Sequence, residues 1–352
     1  MLLKELTELN GVSGNEDEVR EFIKKEAKGY CDEITIDSIG NLICLKKGRN
    51  PKYKLMLCAH MDEVGLMVTG YTEGGMLKFA AVGGIDQRIL LGKRVLVGDK
   101  KISGVIGAKP IHLQQTSERE SNIDIKKMYI DIGADKKEEA EKLVSLGEYV
   151  AFYSKYLTLG DNTIKAKALD DRVGCAILLE ILKGKNYEFD LYICFTVQEE
   201  VGLRGAQVAS YRIYPDMALV IEGTTCSDVP DVEKYEYSTI LGEGAAITIM
   251  DRGAYGNKKL VNYIFNLAKE NGVPVQYKQT TSGGNDAGKI QTAKGGVVVA
   301  AISVPCRYIH SPVSVMSKSD FESCMKIVHM SLEQFDKNPE LINSFRDDLN
   351  ME

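Results

Sequence analysis

Apolar side chains recur at helical spacing through residues 16–30 (EDEVREFIKKEAKGY), after Ser13-Gly14 and acidic residues suited to a helix N-terminus, so a surface helix packed on one face is expected there. Beyond it, short apolar runs alternate with helical patterns. ITID, NLICLK and KLMLCAHMD predict strands, residues 171–183 a helix, LYICFTVQEE a strand, 202–211 a helix, MALVIEG and AAITIM strands, 258–270 a helix, and GVVVAAISV a last strong strand. That alternation predicts a three-layer α/β domain around a mainly parallel sheet. Residues 64–163 break the pattern, with glycine-rich, strand-like segments (GLMVTGYTEGGMLKFAAVGG, KRVLVGD, KISGVIG, YIDIG, YVAFY) and one acidic helix, KKEEAEKLVSL. They predict a small β-rich domain inserted into an α/β domain that is discontinuous in sequence, 1–63 and 164–352. The last dozen residues are polar enough to fray.

Composition narrows the class. A chain of 352 residues, 44% hydrophobic and 27% charged, is long enough for a large core and a second, smaller domain. The net charge of -6, from 50 acidic against 44 basic residues, is dispersed without a basic run to track phosphates or lipid, so neither nucleic acid nor membrane is an expected partner. The N-terminus alternates charged and apolar residues, unlike a signal peptide, and no run approaches the roughly 20 residues of a membrane span. The eight cysteines sit mostly in apolar stretches with no Cys-x-x-Cys pair, which suits reduced core residues in a cytoplasmic protein.

Chemistry collects where the predicted strands run out. Of the four histidines, His60 ends KLMLCAH and His310 follows the last strong strand, whereas His112 falls in the β-rich region and His329 in the middle of a helix. Glu199 and Glu200 close LYICFTVQ, Glu222 closes MALVI, and Asp170 and Asp171 precede the helix RVGCAILLEIL. Ligands of open α/β sheets bind beyond the carboxyl ends of the strands. Imidazoles and carboxylates gathered there suit zinc, cobalt or manganese better than calcium. His60, Asp170, Glu200, Glu222 and His310 exceed the needs of one tetrahedral ion but would serve two, with one carboxylate such as Asp170 bridging them and a water between. Consecutive residues leaving a strand point in different directions, so Glu199 and Glu200 can divide between metal and attacking water. Asp62, two residues past His60, is placed to accept the other imidazole N–H and fix the tautomer. Taken singly each signal is weak, since a strand-end histidine is commonly structural and Asp170-Asp171 before Arg172 would also cap a helix. The reading rests on their joint occurrence. The glycines of TTSGGNDAGK allow a loop rich in N–H groups to approach a substrate carbonyl or peptide end.

The ordered set CAHMDEVG, GVIGAKPIH, KALDDRVG, TVQEEVGLRGA, VIEG, SGGNDAG and VPCRYIHSP resembles, over essentially the whole chain, the glutamyl aminopeptidase family of dinuclear metallopeptidases that includes the tetrahedral TET peptidases. The resemblance implies a zinc-peptidase α/β domain, a PDZ-like insert used in dimerisation, and homo-oligomers, often of twelve subunits, that trim peptides from the N-terminus. Carried over by position, it implies that His60 and Glu222 hold one metal, zinc or cobalt, and Glu200 and His310 the other. Asp170 would bridge, Glu199 would be the general base and Asp62 would support His60. It further implies a cis peptide between Asp170 and Asp171. The chain departs from the pattern at Glu222, where relatives usually carry Asp, and at Asn285, where they usually carry Thr. Some relatives carry an endoglucanase label, and a carboxylate pair also serves sugar hydrolysis. A glycosidase would leave His60 and His310 without a task, and the chain has no Trp to form a glucan platform. A catalytically silent assembly subunit is the other alternative.

Overall fold

A computed structural model describes residues 2–346. Its centre is four parallel strands. Lys54–His60 lies between Asp190–Thr196 and Met217–Thr225, and Val298–Arg307 pairs with the far side of Met217–Thr225. These strands are apolar almost throughout because helices cover both faces. Side chains alternate between the two faces, so Leu55, Leu57 and Ala59 enter one core while Met56 and Cys58 enter another. The first core packs helices Leu2–Glu8, Asp17–Ala27, Leu169–Leu182, Lys258–Glu270 and Lys318–Lys337. The second packs Arg204–Ile213 and the short helix Ala287–Ile290. The three layers follow from that alternation.

The sheet is mixed rather than mainly parallel. Among the described residues it has eleven strands, and its flanks are antiparallel except where Val275–Lys278 pairs in parallel with Ala245–Thr248. Leu42–Lys46 runs against Asp190–Thr196 and carries Glu33–Ile36 outside it. On the other side Ser314–Ser317, Thr163–Ala166 and Leu157–Leu159 follow in antiparallel order, and Ala245–Thr248 joins Val298–Arg307 antiparallel. Three of these pairs, Glu33–Ile36 with Leu42–Lys46, Leu157–Leu159 with Thr163–Ala166, and Val298–Arg307 with Ser314–Ser317, are joined by short connections, which suffice for a hairpin but not for the crossover of a dozen or so residues that a parallel pair needs.

The chain leaves the sheet after His60 and forms a closed barrel of six antiparallel strands from Gly65–Tyr71 to Tyr149–Phe152. The barrel has its own core, including Leu66, Val97, Ile130 and Val150, and carries the acidic helix Lys137–Leu143. Residues 157–166 return to the large sheet.

Local expectations differ in two places. The helix expected over 16–30 spans Asp17–Ala27 with acidic residues in its first turn, but Glu16 holds the N-cap position and Ser13, four residues before the helix, turns its hydroxyl to Asp62. At the C-terminus, Glu340–Ser344 is a short helix with Ile342 buried and Phe345 packed edge-on against Phe335 and tilted against Tyr263, so apolar anchors override the polar composition there. The expectation of fraying over residues 347–352 lies outside the described residues.

Candidate metal and catalytic site

The parallel register delivers the site. His60 is the last residue of its strand and lies opposite Thr196, from which the neighbouring chain runs three residues to Glu199 and four to Glu200. Glu222 sits inside Met217–Thr225 on the other flank. Asp170 and Asp171 carry non-helical dihedrals at the start of Leu169–Leu182, and the peptide between them is cis. Gly223 permits the approach: a Cβ there would lie 2.9 Å from Asp170 Cα, closer than side chains pack. His310 enters from a left-handed turn that follows Val298–Arg307.

Asp170 stands at the centre. Its Oδ1 is 3.2 Å from His60 Nε2 and its Oδ2 is 3.4 Å from His310 Nε2. Glu222 Oε1 lies 3.2 Å from His60 Nε2 and Glu200 Oε2 3.3 Å from His310 Nε2. Two triads therefore share one carboxylate. Donor atoms around a tetrahedral ion with bonds of about 2.0–2.1 Å stand about 3.3 Å apart, so each histidine lies from its two carboxylates at the spacing of ligands on one metal. Glu222 Oε1 is buried without a well-directed hydrogen bond, as a donor reserved for a cation would be. The residues fit divalent metal ions.

Electrostatics point the same way. Burial, then the Asp170 charge, pushes Glu200 up to about 7, and burial with the same neighbour pushes Glu222 up to about 8. Burial and the Glu222 carboxylate hold Glu199 and Asp171 well above the usual carboxylate range. Burial opposes charge on the imidazoles, yet the facing carboxylates raise His310 to about 9 and His60 well above its ordinary value. Asp170 goes the other way: burial is outweighed by His310 and His60 on its two oxygens, and it stays below the usual range. Packed acids with so little compensating charge are what divalent cations relieve.

Surrounding groups aim the donors. His60 Nδ1 is 3.0 Å from the Asp62 carbonyl and 3.4 Å from Asp62 Oδ1, which holds the proton on Nδ1 and leaves the Nε2 lone pair for a ligand. Asp62 also accepts the backbone N–H of Glu199 at 3.0 Å and of Glu200 at 3.1 Å. Sequence reasoning missed that second task and gave Asp171 no role beyond capping. Asp171 accepts the His60 N–H at 3.1 Å and the Gly174 N–H at 2.9 Å, so it caps the helix and pins the strand end at once. A cavity of about 340 Å³ opens over the cluster, walled on its far side by Thr224, Lys278 and the loop from Ser282 to Asn285, the glycine-rich stretch singled out in the sequence. Asn285 is buried, with its side chain tied to Asp251 and to the Ala287 amide. His112 is exposed on the barrel and His329 half-buried in Lys318–Lys337, both outside the lining of this cavity.

The profile of the M42 glutamyl aminopeptidase family matches residues 40–327, and a second profile, AMPT, matches residues 1–22. A putative aminopeptidase of Acetivibrio thermocellus is 42% identical over 93% of this chain and 96% of its own length. The solved aminopeptidase of the archaeon Desulfurococcus kamchatkensis is 37% identical with a TM-score of 0.94, covering 99% of this chain and 98% of that one. The Pyrococcus horikoshii TET1 peptidase, described as assembling into a tetrahedron or a large octahedral shell, is 36% identical with a TM-score of 0.84 over 94% of this chain and 98% of its own.

Proposed function

Because the chain belongs to the M42 glutamyl aminopeptidase family, we propose that it removes N-terminal residues from peptides at a two-metal site held by His60 and Glu222 on one side, Glu200 and His310 on the other, and Asp170 between them. The observation that carries this reading is Asp170, whose two oxygens each face a different histidine. Zinc or cobalt is the proposed metal, from the mixed imidazole and carboxylate donors. Bound there, such ions supply Lewis-acid polarisation of the scissile carbonyl and a lowered pKa for the attacking water.

The chain's own groups do the rest. Glu199 lies in the cavity wall without a place in either triad, and burial raises its affinity for a proton, which makes its carboxylate a stronger base. It accepts a proton from the attacking water and passes it to the departing amine. Asp62 orients the imidazole of His60 and both backbone amides of the Glu199-Glu200 turn. The Ser282–Asn285 wall and Thr224 offer polar partners to the peptide while the cavity limits water around the reacting bond.

Glu199→Gln is expected to keep the metal content, read by elemental analysis, and to lower turnover of aminoacyl-anilides by about 10²- to 10⁴-fold. Parental turnover in that variant would remove Glu199 from the mechanism. A sugar hydrolase with a carboxylate pair would be indifferent to chelator, so chelator-insensitive release of reducing sugar would favour that reading; two histidines facing a carboxylate between them favour the peptidase. A silent assembly subunit would stay inert on every N-terminal residue when loaded with metal.

Residues 64–163 are proposed as an inserted, PDZ-like dimerisation domain within a catalytic domain of residues 1–63 and 164–352; its barrel ends at Phe152, and Leu157–Leu159 already pairs within the large sheet. Dimers assembling to a dodecamer are the proposed particle, supported by the likeness to a tetrahedral relative. Cytoplasmic residence fits eight free cysteines, seven of them buried, and no helix among the described residues is long and apolar enough to cross a membrane.

A further inference from the structure

The geometry points to Ser13 as a positioning residue for hydrolysis, acting through the Asp62 carboxylate on the Glu199-Glu200 turn; this rests on the assignment of those two acids above. Ser13 lies 49 residues before Asp62 in sequence, yet its buried Oγ donates to Asp62 Oδ2 at 2.6 Å. The same oxygen accepts the Glu200 amide, while Oδ1 accepts the Glu199 amide and faces His60 Nδ1. Asp62 is fully buried, so these donors decide how its carboxylate is turned.

The donors are not equivalent. Two of them belong to the turn that Asp62 positions, and the imidazole belongs to a proposed ligand, so none of these anchors Asp62 independently of the site. Ser13 does. Its backbone is tied by the Ser13 N–H to the Glu63 carbonyl at 3.2 Å and, through Gly11, by the Glu63 N–H at 2.9 Å. Three residues on, Glu16 Oε1 takes the Gly14 amide at 2.7 Å and the Gln198 amide at 3.1 Å, holding the left-handed residue just before the acidic pair. The segment from Gly11 to Glu16 thus grips the acidic turn at both the Asp62 carboxylate and the Gln198 amide. Without the Ser13 hydroxyl, Asp62 keeps its charge but can rotate, and Glu199 drifts by fractions of an ångström from the reacting atoms, a displacement to which catalysis is sensitive.

The test compares Ser13→Ala and Ser13→Thr with the parent full-length protein, each metal-loaded, assayed on aminoacyl-anilides and checked for metal content, melting temperature and amide exchange of the peptide containing Glu199 and Glu200. Ser13→Ala is expected to lower kcat about tenfold with KM and metal content held, and to speed exchange in that peptide; Ser13→Thr is expected to restore both. An unchanged kcat in Ser13→Ala overturns the inference. So does a loss that tracks a fallen melting temperature, a raised KM or missing metal, because each marks a merely structural role. A parent inert on every aminoacyl substrate sinks the aminopeptidase reading itself, an outcome visible before any variant is compared.

Discussion

At the scale of single residues, close approach matters as much as donor chemistry. Asp170 can stand between two histidines only because the chain opposite it has no side chain at Gly223. Gly223→Ala is therefore expected to displace Asp170, lower bound metal below the parental amount and cut turnover at least tenfold, with elemental analysis and aminoacyl-anilide assays as the measurements. The types of the donors were legible in the sequence, since His60, Glu222 and the Glu199-Glu200 pair stand at or beyond apolar runs that lie side by side in the parallel centre of the sheet. Asp171 and Ser13 were not. The His60 amide lies 111 positions from Asp171 and the Asp62 carboxylate 49 from Ser13, and such distant contacts leave no periodic trace along the chain.

Among elements, the helix over Lys258–Glu270 was readable to its ends, because Asn257 accepts the Leu260 amide as an N-cap before a clean amphipathic run. Leu157–Leu159 and Val275–Lys278 were not, being short, the first exposed throughout and the second buried only at Val275, without the alternation that marks a strand. The N-terminal helix Leu2–Glu8 also escaped notice, and it is held by a buried charge cluster. Glu63 Oε1 lies 2.5 Å from Lys167 Nζ and 3.4 Å from Arg172. These cations in turn donate to the carbonyls of Leu9 and Leu6. Glu63→Ala would strand both beneath the site. The expected loss is about 3–5 kcal/mol of unfolding free energy, measured by urea titration against the parent.

For the molecule as a whole, the acidic centre sets how stability depends on pH when metal is stripped. Burial lifts Glu200 to about 7 and Glu222 to about 8 from an ordinary 4.5, so between those limits the folded chain holds protons the unfolded chain has released. Stability from these groups is present at low pH and lost as pH rises through about 7 to 8; His310, raised to about 9 against burial by Asp170 and Glu200, adds a loss of the same sign slightly higher. Calorimetry with chelator should give a lower melting temperature at about pH 8 than at about pH 5, and added zinc should lift it most at the higher pH, where protons compete least. A flat profile would show that these acids are solvated rather than confined. Strand order has another outcome. Lys54–His60 precedes the barrel in sequence but is wedged between Asp190–Thr196 and Met217–Thr225, which follow it. A protease cutting the exposed barrel segment near Ile111 and Leu113 would therefore make two pieces laced through one another, parted only by melting the sheet.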